Sequence, residues 1–374
     1  MKYFDYAATC PLDPDAAQTY IRAATEFFGN SQSLHDTGDS ARQLLESCRS
    51  KIAHLLQVDK EGLFFTSGGS ESNYLAIEAL VSGVKKKGNH IITSMAEHSS
   101  VHSSLERIKE RGFEITYLPL NKFGIIDIDI FNVSIRDETV LAVIQHGNSE
   151  IGTIQPIIEM SHICKNHGIL LHTDCVQTYG KVDLKVISTL VDSLALSGHK
   201  VYGPKGTGAV YIRPQIPWQP LFPNTSHERG LRPGTVNVPG IAGMTVAAQK
   251  LQEGIDYHND HFHKLRKLFV DSLEPIRDTI QIHGASDSNQ LPYIIGMNIT
   301  GLEGQWVLLE CNRQGFAIST GSACHSGLQS PSQTMSALGY SGKKAKEFFR
   351  ISLGINTSME DTKSLANLLI KIAN

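Results

Sequence analysis

Four short polar stretches, each following an apolar run, carry most of the residues able to do chemistry. Leu63-Phe64-Phe65 leads into Thr66-Ser67-Gly68-Gly69-Ser70-Glu71. A glycine-rich turn opening a helix offers backbone N–H groups to an anion, although an ordinary strand-to-helix turn has the same look. It matches neither G-x-x-x-x-G-K-[ST] nor G-x-G-x-x-G, so a nucleotide fold is not indicated. Ile91-Ile92-Thr93-Ser94-Met95-Ala96-Glu97-His98 sets a histidine just past a strand end. His98 and His102 have the i, i+4 spacing of a zinc pair, but no cysteine or further acid accompanies them at ligand spacing. Ile169-Leu170-Leu171 leads into His172-Thr173-Asp174-Cys175-Val176-Gln177. An acid there needs a cationic partner. The fourth stretch runs from Ser197-Gly198-His199-Lys200 to Gly208. A lysine closing a buried strand is costly unless neutralised, which a Schiff base with an aldehyde would do. Lys205 competes for that role, but it lies farther from the strand end and reads as solvent-facing.

The elements that must position these residues alternate along the chain. The runs Leu63–Thr66, Ile91–Thr93, Ile115–Leu118, Val140–Ile144, Ile169–Leu171 and Ser193–Leu196 read as strands. Helical stretches near 70–82, 99–111 and 156–167 separate several of them. This βαβ alternation predicts an α/β fold, a mainly parallel sheet with helices on both faces, and ligands bound at the strand carboxyl ends. Upstream, residues 3–6 read as a short strand. Asp13-Pro14 is a helix start of N-cap and N1 type, with a stop at Gly29-Asn30. A second helix carries Leu44, Leu45, Cys48, Ile52, Leu55 and Leu56 on one stripe. A long helical region at 239–275 precedes a mixed α+β segment. Its His258, His261 and His263 do not share one helical face, so a solvated surface is the plainer reading and no metal site is expected.

The chain has 374 residues, 34 Lys+Arg against 37 Asp+Glu, and a net charge of −3. Weak acidity argues against a general nucleic-acid binder. No apolar stretch is long enough to span a bilayer, and the start lacks a secretory h-region, so a cytoplasmic protein is expected. The six cysteines, Cys10, Cys48, Cys164, Cys175, Cys311 and Cys324, leave no C-x-x-C pair, and a disulfide framework is not expected. Each is a core filler or a reactive thiol. Cys324 differs in lying within Ser319-Thr320-Gly321-Ser322-Ala323-Cys324-His325-Ser326-Gly327, a small, polar run that reads as a loop.

An acid for a ring nitrogen, a lysine for an aldehyde and a Gly/Ser turn for a phosphate together describe a pyridoxal phosphate site. With Asp5-Tyr6-Ala7-Ala8-Thr9, Ser33-x-His35-x-x-Gly38, Arg232-Pro233-Gly234-Thr235, Ser322-Ala323-Cys324 and Phe349-Arg350-Ile351-Ser352-Leu353-Gly354, the chain resembles the NifS/IscS-like cysteine desulfurases of the class V aminotransferase family almost end to end. The resemblance implies a fold-type I pyridoxal phosphate transferase with a seven-stranded, mainly parallel sheet. It implies a large cofactor domain at 13–255, and a small α+β domain from 1–12 and 256–374 that bears the cysteine loop.

By the same resemblance, Lys200 binds the cofactor aldehyde and moves the Cα proton. Asp174 holds the ring nitrogen, Gln177 the ring hydroxyl, and His98 stacks on the ring and carries protons. Gly69, Ser70, Ser197 and His199 bind the phosphate. Thr235 reaches the phosphate of the partner subunit, which implies a homodimer. Arg350 clamps the carboxylate of L-cysteine, and Cys324 takes its sulfur as a persulfide for an acceptor protein, an iron–sulfur scaffold or a recipient enzyme. Selenocysteine lyase is the second enzyme reading, and a non-catalytic sulfur-relay subunit the reading of another class. The family's H-x-N-N-E segment reads His146-Gly147-Asn148-Ser149-Glu150, so Asn148 and Ser149 are the candidates for placing substrate. The Cys324–Arg350 spacing of 26 residues resembles the subgroup with a long cysteine loop. No C-terminal scaffold-docking tail is expected. The stretches 145–149 and 225–237 resemble a subgroup serving quinolinate synthase.

Overall fold

The computed structural model describes residues 1–321 and 332–374. In chain order the strands are β1 (Lys2–Tyr3), β2 (Leu63–Thr66), β3 (His90–Ser94), β4 (Glu114–Leu118), β5 (Thr139–Gln145), β6 (Leu170–Asp174), β7 (Ser193–Ser197), β8 (Gly208–Ile212), β9 (Ile280–His283), β10 (Ile294–Ile299), β11 (Phe316–Ala317) and β12 (Phe348–Ser352). Strands β2 to β8 form one sheet in the order β2-β8-β7-β6-β5-β3-β4. β3 through β7 pair in parallel, and β8 runs antiparallel to both its neighbours, β2 and β7. The six strands read from sequence are all present. The seventh, β8, directly follows the turn Gly203–Thr207, and its short run hid behind that turn's Gly/Pro punctuation.

Period-two alternation sends side chains to both faces. Leu63, Phe65, Ile92, Ala142 and Ile144 join a core on one face, while Phe64, Ile91, Leu141 and Val143 join a core on the other. Burying one such side chain contributes about 2 kcal/mol. Helices cover both faces, which is why the strands read as continuous apolar runs. They begin with α1 (Pro14–Glu26), α2 (Asp36–Leu56), α3 (Gly69–Gly83) and α4 (Ser99–Lys109), followed by α5 (Ile128–Val133), α6 (Ile157–His167) and α7 (Lys185–Leu190). Asp13 caps α1 as expected, accepting from the Asp15 and Ala16 amides, but the helix ends at Glu26 where the Phe27 amide closes on Ala23 O. The expected helix at 239–275 is two helices, α8 (Val238–Glu253) and α9 (Ile255–Ser272), parted at Gly254.

A separate antiparallel sheet, β12-β10-β9, and the parallel pair β1-β11 surround a further core. Phe4 and Ala7 pack in it with Phe349 and Ile351. The expected strand at 3–6 is shorter, with Asp5 forming a single bridge to Ser352. That arrangement brings residues 5–9 against the carboxyl ends of β5, β6 and β7.

Candidate active site

Six strands of the large sheet point their carboxyl ends the same way. A cavity of about 270 Å³ lies there, lined by Gly69, Ser70, His98, Asp174, Gln177, Ser197, His199, Lys200, Ser149 and Arg350, with Ala7, Ala8 and Asn73. Four distant polar stretches of the sequence therefore meet at one place.

Gly68 has φ +151°, a conformation that favours glycine, and it turns the chain from β2 into α3. A Cβ on Gly69 would lie 2.5 Å from Val176 Cγ2, so any side chain there would have to displace Val176. The turn aims the free amides of the α3 N-terminus at the cavity. Opposite them, Ser197 Oγ is buried with no hydrogen-bond partner. His199 Nδ1 lies 3.1 Å from Thr9 Oγ1, and burial with nearby Lys200 pushes the ring down to about 4, so it is neutral.

Asp174, at the end of β6, is buried and accepts from Val176 N at 2.9 Å and from Asn73 Nδ2 at 2.8 Å. Asn73 Oδ1 meets His172 Nε2 at 3.0 Å, and His172 Nδ1 meets Ser193 Oγ at 2.6 Å. Burial pushes His172 down to about 3. Asn73 was not anticipated, yet it stands one turn beyond Ser70 on the same helix, the position from which α3 faces β6.

Lys200 Nζ donates to the carbonyls of Ala7 and Ala8. Burial, then the positive charges of Arg350 and Lys181, push its amine down to about 7. A neutral amine is the nucleophilic form. Lys205 is exposed and does not line the cavity; it edges an adjoining hollow that shares Gly69, Ser70 and His199 with it. His98 caps α4: its Nδ1 accepts from Ser100 N at 3.2 Å and lies 2.7 Å from Ser100 Oγ. Since Nδ1 accepts the backbone N–H, the neutral ring carries its hydrogen on Nε2.

Arg350 is almost fully buried. Nη2 lies 2.6 Å from Asp5 Oδ1, and Nη1 donates to Ser149 O at 2.8 Å, while Nε is buried without a partner. Gln177 donates from Nε2 to Ala7 O and accepts from Tyr293 at Oε1. Asn148, the other candidate for placing substrate, is engaged elsewhere. It does not line the cavity: its Oδ1 accepts from Glu150 N and Ile151 N and its Nδ2 donates to Thr334 Oγ1, so its amide is spent holding a turn. Ser149 is the cavity-facing member of that pair. Thr235 is exposed and outside the cavity.

Cys324 lies outside the described residues. The other five cysteines are buried. Burial pushes all five thiols up, Cys164, Cys175 and Cys311 to about 12, so none is a ready nucleophile. Among the described residues no group of His, Cys, Asp and Glu could hold a metal ion.

Comparison with known proteins agrees with this geometry. The aminotransferase class-V family model matches residues 2–365. The chain belongs to the class-V aminotransferases. Within that family it is 45% identical, over 98% of its own length and 93% of the relative's, to a putative cysteine desulfurase NifS of Bacillus subtilis. Among solved structures, a NifS-like protein aligns with a TM-score of 0.91 at 30% identity, covering 99% of this chain and 98% of that one. A structure described as SspA in complex with cysteine aligns at 0.81 and 32% identity, over 94% of this chain and 99% of that one. The family relationship thus places the chain among the NifS/IscS-type cysteine desulfurases.

Proposed function

We propose that the protein is a pyridoxal phosphate-dependent cysteine desulfurase, converting L-cysteine to L-alanine and leaving a persulfide on Cys324. The observation that carries this is the meeting of Lys200, Asp174, His98 and Arg350 with a phosphate-sized cradle in one cavity. The residues fit the cofactor. Ser197 Oγ is an orphaned buried hydroxyl at the α3 N-terminus, and Gly69, Ser70 and His199 complete an anion site. Asp174 is a fixed acceptor for a ring N–H, and Gln177 retains a second amide hydrogen for a ring oxygen.

Pyridoxal phosphate, when bound, supplies an aldehyde for amines and a ring that withdraws electrons from Cα. The remaining work falls to the chain. Lys200 Nζ, poised at the cavity as a neutral amine, would take the Cα proton and give it back to Cα before alanine leaves. Arg350 orients the substrate carboxylate through its planar guanidinium. His98 holds a proton at Nε2 beside the reacting carbons. The Cys324 thiolate forms the new S–S bond as the Cβ–S bond of cysteine breaks. The proton lost from that thiol is matched by one gained at Cβ, and alanine leaves.

We take residues 13–255 as the cofactor domain, and 1–12 with 256–374 as the smaller domain carrying the cysteine loop. The working unit is a cytoplasmic homodimer in which Thr235 serves the partner's phosphate. Exposed Leu34, Phe28 and Ile21 support a covering partner. An acceptor protein, an iron–sulfur scaffold or an enzyme such as quinolinate synthase, removes the sulfur. No described helix is long and apolar enough to cross a membrane. The test is Cys324→Ala: it retains the absorbance of the bound cofactor and releases no sulfide from cysteine with a reductant present. Sulfide release at the wild-type rate removes Cys324 from the reaction.

A further inference from the structure

Lys181 is a buried lysine that the reaction above does not use. Its Nζ lies 3.4 Å from Tyr293 Oη and 4.4 Å from the centre of the Tyr293 ring. Tyr293 is itself buried, and its Oη lies 2.6 Å from Gln177 O and 3.0 Å from Gln177 Oε1. Gln177 Nε2 donates to Ala7 O at 3.0 Å, the same carbonyl that accepts from Lys200 Nζ. A chain of polar groups therefore runs from Lys181 to the cavity wall.

The direction of these bonds follows from donor inventory. Lys181 Nζ carries N–H donors in either protonation state and donates one to Tyr293 Oη. Tyr293 Oη accepts that bond and turns a lone pair toward Nζ. Its own hydrogen is then shared between Gln177 O at 2.6 Å and Gln177 Oε1 at 3.0 Å. Gln177 Oε1 becomes the accepting end of the amide, so the NH₂ end faces the other way. One of its hydrogens goes to Ala7 O, and the second remains for the cavity. An amide with its two ends exchanged would set an oxygen against Ala7 O, lose its share of the Tyr293 hydrogen and present an oxygen to the cavity.

We propose that Lys181, acting through Tyr293, is a positioning residue that locks the Gln177 amide with its NH₂ toward the cavity, making it a fixed donor to the cofactor's ring oxygen. This rests on the cofactor reading above. The lock spans two parts of the chain, since Tyr293 belongs to the core shared by β10 and β12 while Lys181 and Gln177 follow β6. It fixes the polarity of a neutral side chain from a group that never touches the ligand.

The experiment uses the holoenzyme and the variants Lys181→Met and Tyr293→Phe, each alone and in a Gln177→Ala background. Each single variant raises the dissociation constant for pyridoxal phosphate about tenfold, the loss of one oriented hydrogen bond, and shifts the visible absorbance maximum of the bound cofactor. In the Gln177→Ala background neither substitution adds to the effect, because the group they orient is gone. An unchanged absorbance maximum and dissociation constant in folded variants overturns the lock, as does a full additive effect without Gln177. Tyr293→Phe keeps the ring beneath Lys181 and carries the test if Lys181→Met does not fold. A wild-type protein that takes up no pyridoxal phosphate overturns the cofactor reading and the lock with it, whereas uptake with silent variants overturns the lock alone.

Discussion

Asp5 Oδ1 and Arg350 Nη2 lie 2.6 Å apart, 345 residues apart in sequence. The guanidinium proposed to orient the substrate carboxylate is thus held by a carboxylate of the same protein. Arg350→Lys is expected to raise KM for cysteine at least about tenfold, because a point charge replaces a two-point contact. Cofactor absorbance should be retained. Asp5→Asn leaves the buried Arg350 without its counter-ion and is expected to cost about 3 kcal/mol of stability, measured by urea unfolding.

Lys200 gives a pH signature. Its amine is pushed down to about 7 in the folded chain, against an unfolded value of 10.5. Between those values the unfolded chain binds the extra proton, so stability of the cofactor-free protein rises with pH across that window. The penalty of charging Lys200 is fully present below about 7 and is gone above 10.5. Lys200→Met should therefore raise Tm of the cofactor-free protein most below pH 7 and hardly at all near pH 10.5. Capture of pyridoxal phosphate by the wild type, followed by absorbance, should quicken with pH up to about 7 and then level. A flat profile would contradict a displaced lysine.

Asn73→Ala removes the Nδ2–H that holds Asp174 and leaves His172 Nε2 without its partner. One hydrogen bond to a charged group is worth about 1.5–3 kcal/mol. Cofactor dissociation, measured by fluorescence, is expected to rise at least about tenfold.

Glu228 accepts from Arg49 at both guanidinium ends, 2.9 Å each, and from Phe65 N at 2.7 Å. It does so with a positive φ of +42°. Glu228→Gln should cost about 3 kcal/mol, because Arg49 keeps a buried charge whose main counter-charge is gone. Limited proteolysis should then cut the 225–237 segment faster than in the wild type.

The parallel sheet was legible because strands buried on both faces are unbroken apolar runs, and because Gly, Ser, Asp and Lys stood out where those runs stopped. Lys200 and Lys205 were separable by distance from the strand end, and the exposure of Lys205 follows that reasoning. Less visible were groups whose meaning is a contact. Asn73 is an ordinary helix residue until β6 arrives beneath it. Asp5 was one letter of a short motif without a role, since its partner lies in β12. Asn148 runs the other way. Its place in a familiar segment suggested a ligand contact, while the turn at 148–153 consumed its amide. β8 was missed where glycine punctuation and a short apolar run overlapped.

The pairing of Arg350 with Asp5 also ties together distant parts of the chain. Asp5, Ala7 and Ala8 leave the ribosome early, yet Ala7 is tied down by Ser352 Oγ at 2.9 Å and Asp5 by Arg350. Without β12, residues 5–8 lose those two anchors across the cavity. The carbonyls of Ala7 and Ala8 that restrain Lys200 are thus held by strand residues 345 positions later, so the pocket wall joins the first and last parts of the chain.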